Sequence, residues 1–120
     1  MEGSQLKSII IAMLIGSVSS ACTSQQVFQP FCAGASACEG GNDQETAACV
    51  VSLEGDERKA AIYDCSNQFA RLVACARQNG VCNDNNFEVA SDSSGDSMCL
   101  IESRQLRDCE NLAKSSDDQR

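Results

Sequence analysis

The stretch 65–109 reads CSNQFARLVACARQNGVCNDNNFEVASDSSGDSMCLIESRQLRDC, and the fold turns on it. Its two ends, Cys65-SNQFARLVA-Cys75 and Cys99-LIESRQLRD-Cys109, are cysteine pairs with nine residues inside each. Ten helical steps rise ~15 Å and sweep just under three turns, so each pair puts two thiols on nearly one side of a helix. Packed antiparallel, the helices bring Cys65 level with Cys109 and Cys75 level with Cys99. Bridges at two heights then fix the register. On the chain-entropy account the outer bridge contributes ~4 kcal/mol and the inner one somewhat less, and nested bridges do not add fully. The fold class this predicts is all-α: a small disulfide-rich helical hairpin with an additional short helix.

The segments flanking these cysteines carry helical signals. Ile62, Cys65, Phe69, Leu72 and Ala76 are spaced by three and four residues, one continuous apolar stripe. Asp56 can cap that helix and Asn79-Gly80 can end it. A second long helix is expected from Met98 to about Lys114, capped by Asp96 or Ser97, with Cys99, Leu106, Cys109 and Ala113 facing inward. The intervening polar stretch, from Val81 to Gly95, reads as a loop fastened by Cys82. Upstream, Asn42 with Glu45 three residues on forms a capping box, which predicts a short helix from about Asp43 to Leu53, stopping near Gly55. Cys32 to Gly41 (CAGASACEGG) is rich in small residues and reads as a loop.

The remaining cysteines set the compartment. Nine cysteines in 120 residues, with no histidine and no tryptophan, is the usage of an oxidising environment. The number is odd, and Cys22 is the natural one to set aside. Eight then remain. Besides the two pairs above, Cys32, Cys38, Cys49 and Cys82 form two more, in an order that spacing leaves open. A tight turn at Gly55 would allow a competing link from Cys49 to Cys65.

Cys22 is set aside because of what precedes it. A polar lead with Lys7, an apolar run from Ser8 to Val18 and the small residues Ser19-Ser20-Ala21 make the three-part pattern of a secretory signal. The apolar run is short for a bilayer-spanning helix, which needs ~20 such residues. The division expected is a signal peptide over 1–21, a tether over 22–31 holding the sole proline, Pro30, a cysteine-rich helical domain over 32–114 and a polar tail over 115–120. In the tether, Phe28 and Phe31 have the alternative of packing onto the domain.

Ser19-Ser20-Ala21-Cys22 resembles the lipobox of bacterial lipoproteins, although Ser19 stands where that motif usually has leucine. The resemblance implies acylation of Cys22 as the mature N-terminus. With Thr23 following, and not aspartate, it implies the outer membrane of a Gram-negative cell. Ordinary cleavage after Ala21, giving a secreted protein, suits the same residues. Two further resemblances cover Cys49 to Cys109. The spacing at Cys65/Cys75 and Cys99/Cys109 is similar to the twin C-x9-C hairpin of mitochondrial intermembrane-space proteins, an analogy of architecture. The wider pattern, with Cys49, DCSNQFARLVAC, GVC and MCLIESRQLRDC, resembles the cysteine-rich hypothetical lipoproteins of some Gram-negative bacteria. That family has no activity to carry over.

The chemistry of sites points away from catalysis. Structural zinc wants close Cys or His spacing, and the nearest cysteines, Cys32 and Cys38, have five residues between them. No C-x-x-C occurs, and without histidine the usual base for a Cys or Ser nucleophile is missing. Asp92-Ser-Ser94-Gly-Asp96 is like the start of a calcium loop. Ser103 stands where such a loop needs its last glutamate, and Ser97 where it needs glycine. No metal and no cofactor is expected. The net charge of −8 argues against nucleic acid as a partner, because phosphate wants a basic face. The expectation is a non-catalytic, exported, lipid-anchored envelope protein that presents a helical surface to a protein partner. A secreted inhibitor or toxin-like ligand is the alternative, with Asn83–Ser94 as its contact loop.

Overall fold

A computed structural model describes residues 24–119. The signal-like segment and Cys22 lie outside the described residues. Within them the order is α1 (Ser24–Cys38), α2 (Asp43–Ile62), α3 (Ser66–Asn79), β1 (Gly80–Asn83), β2 (Asn86–Val89) and α4 (Leu100–Asp117). The chain is a small, disulfide-rich, mostly helical fold. Its bridges are Cys32–Cys49, Cys38–Cys82, Cys65–Cys109 and Cys75–Cys99. Helices α1 with α2 and α3 with α4 make the closest pairings, so two bridged helical hairpins stand where the spacing suggests one.

The first correction is at residues 24–38, read above as tether and loop. They form a helix despite Pro30 in its interior. A proline there deletes one backbone hydrogen bond and crowds the preceding turn. The helix persists because Val27, Phe28, Phe31 and Cys32 form a stripe at helical spacing that packs into the core, with Phe28 and Cys32 fully buried. It folds back on α2 through the turn at Gly40, whose φ of 71° suits glycine. Cys32 and Cys49 lie equally far from that turn and are bonded. At the open end the Ser24 hydroxyl donates to Glu57 Oε2 at 2.6 Å. One pair near the turn and one far from it hold α1 and α2 antiparallel.

The start of α2 follows the capping box. Asn42 Oδ1 accepts from the N–H groups of Gln44 (2.9 Å) and Glu45 (3.2 Å), and Glu45 Oε2 accepts from Asn42 N–H at 2.9 Å. Its end is the second correction. The helix does not stop near Gly55 and Asp56 caps nothing; it continues to Ile62. One interior glycine costs only ~1 kcal/mol, and Val50, Leu53 and Ala60 keep one face on the core throughout. The break comes at Asp64, in left-handed backbone with φ 58°. The N–H of Cys65 donates to Ala60 O at 2.7 Å and that of Asp64 to Ala61 O at 3.1 Å, the two reverse bonds of a Schellman end. The chain thus turns directly into α3 with Cys65 at its N-cap.

Phe69 and Val73 of α3 are buried, and the Phe28 and Phe69 rings meet edge to face at 6.2 Å. Ile62, placed on that stripe by spacing, is instead 81% exposed at the end of α2. Gly80 does not cap α3 in left-handed backbone: it is extended and begins β1. A Cβ there would lie 2.6 Å from the Phe87 ring, so the need for glycine is one of space.

The third correction is at Val81–Gly95. Gly80 to Val89 is an antiparallel hairpin in which Val81 faces Glu88 and Cys82 faces Phe87. Asp84 and Asn85, at φ 48° and 63°, form its turn. Positive φ at both central residues is the type I′ geometry, which matches strand twist. Beyond it, Asp92 Oδ1 accepts from Ser94 N–H (2.8 Å) and Asp96 N–H (3.1 Å), and the Ser97 hydroxyl accepts from Cys99 N–H at 3.3 Å. Helix α4 follows, with Leu106 and Cys109 packed against the core.

Candidate functional site

The two hairpins leave a groove. Helix α3 is its floor and α2 and α4 are its walls, because Cys65–Cys109 and Cys75–Cys99 hold α4 against α3. The groove holds about 500 Å³ over Phe69, Leu72, Val73 and Ala76, with Leu53 and Leu106 on its sides and Phe31 also on its lining. Charged residues of both signs ring this apolar interior: Asp56 and Lys59 from α2, Arg107 and Glu110 from α4. Lys59 Nζ reaches across to Glu110 Oε2 at 3.2 Å. Lys59 is 52% exposed, so the pair holds the two walls only weakly. Its volume and apolar floor fall within the range of ligand clefts.

The cysteines fall into place around it. Cys65 joins Cys109 and Cys75 joins Cys99, the pairs expected from matched spacing. The four that spacing left open join as Cys32 to Cys49 and Cys38 to Cys82, and the competing Cys49–Cys65 link is absent. The segment Asn83–Ser94 is half hairpin and half turn. Its tip is exposed and amide-rich, and the Asn83 side chain donates to Glu88 Oε1 at 2.7 Å. Asp92 spends its carboxylate on its own loop. Among the described residues no group of three His, Cys, Asp or Glu could hold a metal ion, and no helix is long and apolar enough to cross a membrane.

The groove itself was not legible in the sequence. Its α2 wall, from Leu53 to Lys59, lies on both sides of Gly55, where a helix end was expected. Leu53, Asp56 and Lys59 are three residues apart, a helical spacing that would have revealed the wall.

No family model matches this chain, and no curated protein or solved structure matches it. The resemblances rest on the cysteine pattern and the segment before Cys22. Four disulfides do mark an oxidising, extracytoplasmic environment.

Proposed function

We propose that the protein is a non-catalytic, exported interaction module. It is held to the envelope surface by a lipid on Cys22, and it presents the groove between α2 and α4 to a protein partner. The observation that carries this reading is an apolar trough whose α4 wall is covalently bridged to its α3 floor and whose α2 wall is bridged to α1. The Lys59–Glu110 pair links its two walls and its volume is about 500 Å³, so the trough suits one or two apolar anchor side chains better than a helix running through it. Buried anchors in desolvated pockets dominate protein interfaces, and the mixed charges of the rim suit a partner whose anchors are flanked by both signs. The net charge of −8 argues against a nucleic acid as that partner.

Selection of a displayed peptide library on the folded protein tests the groove. The expected winners carry Leu or Phe anchors, lose binding to Leu106→Glu and keep it for Gln105→Glu. Winners indifferent to Leu106→Glu would sink the reading. Winners dependent on Asp84 and Asn85 would favour the inhibitor or toxin-like alternative. The anchor is tested by intact mass of the mature protein: acyl chains on Cys22 are expected, and an unmodified N-terminus at Cys22 excludes lipid attachment.

A further inference from the structure

Among the eight bridged cysteines, Cys82 alone is exposed. Each of the other three bridges has a buried member: Cys32 at 0%, Cys65 at 0% and Cys99 at 3% exposure. Cys38–Cys82 has none, since Cys38 is half-buried. It is also the one bridge that joins no helix pair. It ties the Gly80–Val89 hairpin to the end of α1.

Two further contacts hold the hairpin, one to α1 and one to Glu39 just beyond it. Cys82 faces Phe87 across the strands, so their side chains leave the same side of the hairpin. Phe87 meets Phe31 edge to face at 5.4 Å, and its N–H donates to Glu39 Oε1 at 3.4 Å. Phe31 and Cys38 are seven residues apart, on one face of α1. The hairpin is therefore strapped along that face by one covalent and one aromatic contact. A lone two-stranded hairpin is marginal in water.

We propose that Cys38–Cys82 is a thiol-sensitive strap: a dithiol reductant opens it ahead of the other bridges and frees the hairpin from α1 while the four helices stay in place. One thiolate of the reductant attacks Cys82 Sγ, the S–S bond breaks, and Cys38 leaves as a thiolate and takes a proton. The second thiol of the reductant then displaces Cys82 from the mixed disulfide and closes as a cyclic disulfide. Two electrons and two protons pass to the protein, and one dithiol is oxidised. Access decides the order, because displacement requires approach along the S–S axis. Opening separates the facing rings of Phe31 and Phe87, the two sides of a hollow of about 250 Å³ that Pro30, Gly34 and Gly80 also line. Opening of this strap does not depend on what occupies the groove between α2 and α4.

The experiment is timed reduction of the native protein by limiting dithiothreitol, quenched with iodoacetamide and mapped by peptide mass. The expected first species carries two labels, on Cys38 and Cys82, appears at least about tenfold faster than any other pair, and keeps the native helical circular dichroism. A first pair at any other bridge, simultaneous opening of all four, or helix loss in the doubly labelled species overturns the proposal. A Cys38→Ser/Cys82→Ser double variant gives a second reading by hydrogen exchange. Amides of Gly80–Val89 should exchange about tenfold faster or more, with those of α2 and α3 unchanged. Unchanged protection of the hairpin overturns the strap.

Discussion

Phe69 stands between two hollows. Its ring forms part of the floor of the groove between α2 and α4, and it also borders a smaller cavity of about 300 Å³ between α1 and α3. Truncation to alanine joins the two and deletes the edge-to-face contact with Phe28. We expect Phe69→Ala to cost about 3–5 kcal/mol, read as a lower urea midpoint with the bridges intact; a loss below 1 kcal/mol would contradict this packing. Asp64 is the opposite case, a residue whose backbone and not its contacts matters. Valine at φ 58° is strained, so Asp64→Val should lower stability by about 1–2 kcal/mol while Asp64→Asn changes it little, both measured by thermal melting. These residues differ in how far the sequence announces them. Phe69 lies on a clean stripe and was legible. Asp64 was not, because a Schellman end without Gly or Asn carries no compositional signal. Asn42, by contrast, declared its capping box through Glu45.

At the scale of elements, Gly55 shows where reading and structure part. Glycine suggests a helix end, yet the end is decided by where the backbone finds reverse hydrogen bonds, and these form at Ala60 and Ala61. Gly55 has helical neighbours on both sides, and an added Cβ would meet no atom within 4 Å. Gly55→Ala should therefore stabilise the protein by about 0.5–1 kcal/mol, visible as a raised melting temperature. Were Gly55 a turn, the same change would destabilise. The hairpin Gly80–Val89 escaped notice for a related reason: its turn uses Asp84-Asn85, not the Asn-Gly that signals type I′ geometry. Helix α1 was hidden by Pro30, whose usual meaning is overridden by Phe28 and Cys32 entering the core. Local signals thus placed the end of α3 at Asn79 and the start of α4 close to Met98, while tertiary packing decided the rest, including the start of α3 at Ser66 and not after Asp56.

Across the whole molecule, sulfur takes the place of core mass. Eight hydrophobic residues are buried among those described, and three of them, Cys32, Cys65 and Cys99, are bridge cysteines. A core that small does not offset the entropy of ordering four helices, so most of the stability must come from restricting the unfolded chain. Bridge Cys65–Cys109 closes 44 residues and Cys75–Cys99 closes 24 inside it. Replacing Cys75 and Cys99 by alanine is expected to cost about 1–3 kcal/mol, less than its isolated value because the outer bridge still closes the larger loop. The two ends of the redox range then separate. With Cys38–Cys82 alone open, none of the buried sulfurs is disturbed and the helices persist. With all four bridges reduced, the three buried sulfurs become thiols and the hairpins lose every covalent tie between helices. A cooperative thermal transition by circular dichroism should then disappear and helical content should fall to that of isolated segments, which are marginal at these lengths. A fully reduced protein that still melts cooperatively would mean that apolar burial suffices, and the bridges would have to be explained by something other than stability.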